Sequence, residues 1–165
     1  MSQEPVLVVR RVLGVDLRAA TELFAHQQRA HLGPGKDVDP DALRPVVQAL
    51  LEDSDRTLVV GAYHEGLPGF AHGKMVGVLM MHVYPSLANR GEVGWIEELF
   101  VRPDYRKKGL GERLLKLALE WADGRGLAAL DLEVREGHEL EAASRLYSNN
   151  GFQKVQSTRL SRTRS

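Results

Sequence analysis

Residues 95–111 read Trp-Ile-Glu-Glu-Leu-Phe-Val-Arg-Pro-Asp-Tyr-Arg-Lys-Lys-Gly-Leu-Gly, an apolar run followed by a basic, glycine-rich turn. The residues that follow are strongly helical, so the order predicts a strand, a turn and a helix. Glycine lets the backbone come close to a ligand, and the start of a helix offers free N–H groups and a positive dipole end. Because Arg106, Lys107 and Lys108 surround this turn, it is predicted to bind a pyrophosphate.

Two common phosphate-binding loops do not match this chain. A Walker loop needs Gly, four residues and then Gly-Lys-Ser/Thr, but Gly73-Lys74 is followed by Met75 and the first glycine position is Pro68. The dinucleotide fingerprint needs a third glycine where this sequence has Leu114.

The hexapeptide from Arg106 to Gly111 instead fits Arg/Gln-x-x-Gly-x-Gly/Ala. With the strand before it, and with Tyr147 and Gly151-Phe152 downstream, it resembles the GNAT superfamily of acyl-CoA-dependent N-acetyltransferases, including its diamine and small-amine members. The resemblance covers roughly residues 57–156. It implies acetyl-CoA as cosubstrate, and a homodimer is compatible with it.

Composition is that of a soluble globular chain. The 165 residues are expected to form a single domain, residues 1–165, and Lys+Arg and Asp+Glu both number 22. No global charge favours nucleic acid or a membrane surface. The chain has no cysteine, which excludes an acyl-cysteine intermediate, so acetyl transfer is expected to be direct. With no apparent leader and no long apolar run, a cytoplasmic location is expected.

Periodicity predicts a mixed α/β (α+β) fold. Strands are expected at residues 5–12, 57–63, 75–84, 92–101, 127–135 and 153–158. Helices are expected at residues 15–31, 39–53 and 139–149, and from residue 110 through at least residue 123. The resemblance implies that they form a GNAT fold, with a central, mostly antiparallel sheet flanked by helices. It also implies a parallel strand pair that splays apart.

In the family, the pantetheine arm pairs with backbone of the strand before the glycine turn, because a splayed sheet leaves backbone groups without partners. This implies that the backbone of Leu99, Phe100 and Val101 binds the cofactor. The phosphates are assigned to the turn and the start of its helix: Arg106, Lys107, Lys108, Gly109, Leu110, Gly111 and Glu112.

Amide formation needs a proton acceptor, because an amine with a pKa near 10 is protonated at pH 7 and freeing its lone pair costs about 4 kcal/mol. Glu97 and Glu98 are an unusual acidic pair within an apolar strand. Neighbours on a strand point to opposite faces, so only one is expected to face the substrate. Glu97 is the preferred base and Glu98 the alternative, and the other reading is a solvated edge residue.

Tyr147 matches the family tyrosine that hydrogen-bonds the leaving sulfur, and it is assigned as general acid. The alternative for a helical tyrosine beside Leu146 is simple packing. The sequence departs from the family where many members have an asparagine, since Leu140 stands there and residues 136–139 lengthen the connection.

The six histidines show no metal-ligand spacing, so no metal is expected. His82, Tyr84 and Trp95 are candidates to line an amine pocket, or else ordinary sheet residues. The function predicted is acetyl transfer from acetyl-CoA to a primary amine of a small molecule such as a polyamine, an aminoglycoside or an amino acid. The alternatives are a catalytically silent coenzyme A-binding or regulatory module and an acetyltransferase of protein N-termini or lysines.

Overall fold

The computed structural model describes residues 4–134, 140–157 and 160–163. The chain divides into two compact units, Met1–Glu133 and Val134–Ser165. The described part of the first unit contains a five-stranded sheet and three α-helices, and that of the second contains one α-helix.

The elements follow the predicted order along the chain. They are β1 Leu7–Arg11, a 3₁₀ helix Gly14–Asp16, α1 Leu17–Leu32, α2 Pro40–Glu52, β2 Thr57–His64, β3 Lys74–Ser86, β4 Gly91–Val101, a 3₁₀ helix Pro103–Tyr105, α3 Leu110–Arg125, β5 Ala129–Leu132 and α4 Leu140–Asn149. The predicted mixed α/β class is confirmed. The lengthened connection at residues 136–139, and the predicted end of β5 at Arg135, lie outside the described residues.

The predicted last strand is wrong over its described part, since residues 153–157 are not in a strand. Val155 is the one apolar residue there and is 74% exposed. A segment with no apolar face to bury gains little from joining a sheet.

The five strands lie in their sequence order, with antiparallel pairing from β1 to β4 and parallel pairing between β4 and β5. Helices cover both faces of this sheet. On one face α1 and α2 pack on β-strand side chains that include Val78, Met80 and Phe100. On the other face, α3 approaches so closely that a Cβ on Gly77 would lie 3.3 Å from Cδ1 of Leu114. This packing holds β3 and β4 rigidly at the middle of the sheet.

The start of α1 is fixed by a partly buried ion pair. Asp16 is 4% exposed and takes a bidentate hydrogen bond from Arg10 at 2.8 and 3.0 Å, and a third from the Leu13 N–H at 2.9 Å. The Arg10 guanidinium also lies 3.8 Å from the centroid of the Tyr63 ring. Burial alone would raise the Asp16 pKa, but the bonds from Arg10 and Leu13 outweigh it and hold that pKa below its usual value.

We therefore expect Asp16→Asn to lower the free energy of unfolding by about 2 kcal/mol at pH 7, because it leaves Arg10 without its charge partner. A carboxylate whose pKa is depressed on folding stabilises the fold above its unfolded pKa, near 3.9, and this contribution is lost as the pH falls through the folded pKa. Urea unfolding of both proteins at pH 7 and pH 3 checks this. The difference between the two stabilities should be smaller at pH 3 than at pH 7, and a constant difference would contradict the ion-pair account.

Candidate active site

The sheet forks within β4. Parallel pairing with β5 covers only Val93 to Ile96 of β4, whereas β4 stays paired with β3 as far as Val101. From residue 97 to residue 101, the edge of β4 that faces away from β3 therefore has no strand partner in the described part of the chain. Backbone groups on such an edge must find hydrogen bonds elsewhere.

Strand geometry determines which groups face this open edge. The Arg102 N–H donates to the Val76 carbonyl on β3 at 2.8 Å, and backbone groups alternate between the two edges of a strand. The backbone of Phe100 therefore faces β3, while the backbone of Leu99 and Val101 faces the open edge. Of the three residues assigned to the pantetheine arm, two present their backbone where a ligand can pair with it, and the Phe100 ring packs in the core.

The turn that follows β4 has the predicted backbone geometry. Lys107 and Gly109 adopt positive φ values of 58° and 72°, and Gly109 is the N-terminal cap of α3. Apart from its two neighbours in the chain, no described residue has an atom within 4 Å of the position that a Cβ of Gly109 would take. The Arg113 N–H is bonded to the Gly109 carbonyl. The N–H groups of residues 110–112 therefore lie in the first turn of α3, ahead of this bond.

The cations of this turn fall into two kinds. Lys107 and Lys108 are exposed, and neither forms an ion pair within the described residues. Arg106 is partly buried, its Nε donates to the Val101 carbonyl at 2.9 Å, and its guanidinium lies 5.8 Å from the Phe100 ring centroid. Burial lowers the pKa of Arg106 below its usual value. Arg106 therefore ties the turn to the end of β4.

A second tie fixes the residue just before the turn. The Tyr105 hydroxyl and Nδ1 of His64, at the end of β2, are 2.8 Å apart. The ammonium of Lys74 lies 5.8 Å from the Tyr105 ring centroid. The glycine turn is thus held between β2 and β4, which suits a site whose backbone must meet a ligand without rearranging.

A β-bulge in β4 coincides with the fork. Met80 is paired with Glu98 and Met81 with Ile96, so Glu97 is the extra residue that has no partner on β3. A bulge places two residues opposite one and disturbs the alternation of side chains. The expectation that Glu97 and Glu98 point to opposite faces is therefore wrong, because both reach side chains on the α1 face.

Glu98 is the buried member of the pair, 9% exposed. Its carboxylate accepts hydrogen bonds from the side-chain amides of Gln27 and Gln28 on α1, which satisfy much of its need for partners. Gln27 is itself 2% exposed, and its Oε1 atom has no hydrogen-bond partner among the described residues. An orphaned acceptor beside a buried carboxylate favours a ligand that brings N–H donors.

Glu97 is the accessible member, with 47% of its side chain exposed, and its carboxylate is paired with Nε2 of His82 on β3. His82 lies opposite Trp95 in the β3–β4 register, two residues beyond Met80 on the same face. The sequence placed His82 only among candidate pocket residues. Its partnership with Glu97 depends on the bulge, and no local signal in the sequence could have revealed it.

In the second unit, Tyr147 lies three residues from the end of α4. Gly151, with φ 87°, ends this helix in a Schellman motif. Its two bonds run from the Phe152 N–H to the Tyr147 carbonyl at 3.1 Å and from the Gly151 N–H to the Ser148 carbonyl at 3.2 Å. The rings of Tyr147 and Phe152 are in edge contact at 5.6 Å. The spacing between Tyr147 and Gly151-Phe152, which supports the family resemblance, therefore also fits the end of an ordinary helix.

Comparison with known proteins agrees with this geometry, since residues 20–152 match the Acetyltransferase (GNAT) family. The chain belongs to that family. It is thus an acyltransferase by family, and members of the family use acetyl-CoA. An uncharacterized N-acetyltransferase of Bacillus subtilis is 26% identical over 145 residues, which are 88% of this chain and 89% of that one. One of Methanocaldococcus jannaschii is 36% identical over 83 residues, but the match spans half of this chain and 36% of the archaeal protein.

Solved structures share the fold of this GNAT chain. A probable acetyltransferase superposes with a TM-score of 0.78 at 15% identity, covering 96% of this chain and 98% of the other. Aminoglycoside N-acetyltransferase AAC(6')-Iy in complex with CoA superposes with a TM-score of 0.74 at 17% identity, covering 100% and 99%. No helix in the described ranges has the length and apolar character to cross a bilayer.

Proposed function

We propose that this protein transfers an acetyl group from acetyl-CoA directly to a primary amine of a small molecule. The observation that carries the proposal is the open edge of β4, which leads through the short 3₁₀ helix Pro103–Tyr105 into the glycine turn and the start of α3. An edge that accepts amides followed by a turn that accepts phosphates matches the order of groups along coenzyme A. The assignment rests on this order and on family membership together.

Each part of the cofactor has residues that fit it. The backbone of Leu99 and the N–H of Val101 are available to the pantetheine amides, whereas the Val101 carbonyl already accepts a bond from Arg106. The N–H groups of residues 110–112 and the ammonium groups of Lys107 and Lys108 suit the pyrophosphate. When bound, acetyl-CoA supplies the thioester carbonyl that the amine attacks.

The acceptor site is placed at the fork, on the α1 face of β4. Removal of a proton from the acceptor ammonium is assigned to the accessible pair of Glu97 and His82 rather than to Glu98. Glu98 is buried and bound by two amides, so its role in the proposal is to attract and orient the cationic substrate together with the orphaned Oε1 of Gln27. Two carboxylates on one face favour an acceptor that carries positive charge.

The acceptor class follows from this charge. Polyamines, aminoglycosides and amino-acid-like amines all carry primary ammonium groups, and the fold neighbours include an aminoglycoside acetyltransferase whose structure was solved in complex with sisomicin. At 16% identity that neighbour indicates the fold alone, so the choice among these amines is an experimental one.

A panel of amines tests the proposal. Purified protein is mixed with acetyl-CoA and one compound at a time, drawn from polyamines, aminoglycosides, amino acids and a lysine-containing peptide, and free coenzyme A thiol is measured. We expect amine-dependent thiol release with at least one small cationic amine. Release with the peptide alone would instead favour a protein acetyltransferase. Cofactor binding without release for any amine would favour the silent module.

A further inference from the structure

The pair formed by His82 and Glu97 raises a question that the proposed function leaves open, namely which of the two side chains takes the proton. Glu97 is the residue that the sequence favours. Its carboxylate, however, is engaged by Nε2 of His82, and the two side chains are similarly accessible, with 36% of His82 and 47% of Glu97 exposed. They therefore form one unit with two nitrogens and two carboxylate oxygens.

The contact defines the tautomer of the imidazole. A carboxylate only accepts hydrogen bonds, so the bonded Nε2 must carry the hydrogen, and in a neutral ring the other nitrogen, Nδ1, then has a free lone pair. Nδ1 of His82 has no hydrogen-bond partner within the described residues. The neighbours opposite His82 on the adjoining strands are Thr57 on β2 and Trp95 on β4, and neither carries a charge. On the same face, Glu98 is held by the glutamines of α1.

Base strength separates the two candidates. Moving a proton from an amine with a pKa near 10 to an ordinary carboxylate with a pKa near 4.3 is uphill by almost six units, and moving it to an ordinary imidazole with a pKa near 6.5 by about 3.5 units. Since a proton acceptor works best when its basicity matches the task, imidazole is the better acceptor at neutral pH. A carboxylate bonded to the far nitrogen orients the ring and stabilises the imidazolium that forms, as in other carboxylate–histidine pairs.

We infer that His82 is the proton acceptor of this reaction, acting through Nδ1, and that Glu97 is a positioning residue that orients it. The inference rests on the proposed acetyl transfer. In the step, an N–H bond of the acceptor ammonium breaks and the Nδ1–H bond forms. The freed lone pair then makes the C–N bond as the C–S bond breaks. The nitrogen loses a second proton on forming the amide, and the leaving thiolate takes up one proton, so the charges balance. The imidazolium later releases its proton to solvent.

Three variants separate the roles. His82→Gln keeps an amide that can donate to Glu97 but has no basic nitrogen, Glu97→Gln keeps the shape of the partner but not its charge, and the third variant combines both. His72→Gln is the matched control, an exposed histidine in the loop between β2 and β3. The pH dependence of kcat/KM is measured with the best amine from the panel, together with the nitrogen NMR signals of the imidazoles.

His82→Gln is expected to lower kcat/KM at pH 7 about a hundredfold, on the scale of one general base. It should also remove the part of the rise of kcat/KM with pH that depends on the imidazole. Glu97→Gln should cost about tenfold and keep that rise, because the imidazole remains but loses the carboxylate that orients it. The double variant should resemble His82→Gln, since the effects of residues that act as a unit are not additive.

The rise of kcat/KM with pH that is due to the amine itself should remain in every variant, and His72→Gln should behave as wild type. NMR of the wild type should show hydrogen on Nε2 of His82 in the neutral ring.

Three results would overturn the inference: a pH profile that survives in His82→Gln but disappears in Glu97→Gln, an unaffected His82→Gln, or hydrogen on Nδ1 in the neutral ring. An inactive wild type is a different outcome, since it would refute the acetyl-transfer proposal, and with it the role of His82. The NMR measurement reports on the pair whether or not turnover is observed.

Discussion

Gly109→Val should raise the dissociation constant for acetyl-CoA at least tenfold, about 1.4 kcal/mol. Gly109 caps α3 with φ 72°, and the space where its Cβ would lie is open. A branched side chain there would stand between the phosphates and the N–H groups of the first helical turn, and would also strain a left-handed backbone. Titration calorimetry on the variant gives the affinity directly.

Gly126→Val is the matched control for this change. Gly126 caps the other end of the same helix and has φ 73°. Among the described residues, only its chain neighbours come within 4 Å of the position that its Cβ would take. Both substitutions should therefore cost a similar amount of stability, about 1–2 kcal/mol, but only Gly109→Val should weaken the cofactor. If both variants bind acetyl-CoA with equal affinity, the turn is not the phosphate-binding site.

Tyr147→Phe should lower kcat by one to two orders of magnitude, with little change in acetyl-CoA affinity. The expectation follows from the family motif: a hydroxyl that stabilises the leaving thiolate acts mainly in the transition state. The Schellman motif at the end of α4 uses the backbone of Tyr147, and the Tyr147 ring contacts that of Phe152. Phe keeps both of these, so the thermal midpoint should stay near that of the wild type.

If Tyr147 serves packing alone, Tyr147→Phe should keep the wild-type kcat. The substitution Phe152→Leu helps to distinguish a packing role of Tyr147 from a catalytic one. This second substitution weakens the ring contact of the helix cap without removing a hydroxyl, so it should lower the thermal midpoint more than Tyr147→Phe does. If Tyr147→Phe keeps full turnover while Phe152→Leu loses stability, Tyr147 serves the cap and the acid must be sought elsewhere.

Sequence was informative about this protein where structure depends on near neighbours. The positive φ of Gly109 and the start of α3 at Leu110 follow from glycine and periodicity within a few residues. Asp39 caps α2 through a bond to the Asp41 N–H, as its place before Pro40 indicates. Such features are local, and one sequence is enough to predict them.

The candidate site depended on contacts that are not local. The bulge at Glu97 is set by the register of β4 on β3, so the alternation rule that separated Glu97 from Glu98 did not hold. His82 meets Glu97 across two strands, and Gln27 meets Glu98 across 71 positions of sequence. No periodicity encodes these pairs, because they follow from strand register and from the packing of α1 on the sheet.

The most direct test of the central claim is a single-turnover reaction with acetyl-CoA labelled in its acetyl group and the best amine from the panel. With enzyme in excess, the account predicts that the label moves to the amine in a one-to-one ratio with free coenzyme A thiol. No label should become covalently attached to the protein, since the chain has no cysteine to carry an acetyl group and transfer is direct. Label retained on the protein, or thiol released without an acetylated amine, would contradict direct acetyl transfer to a small-molecule amine.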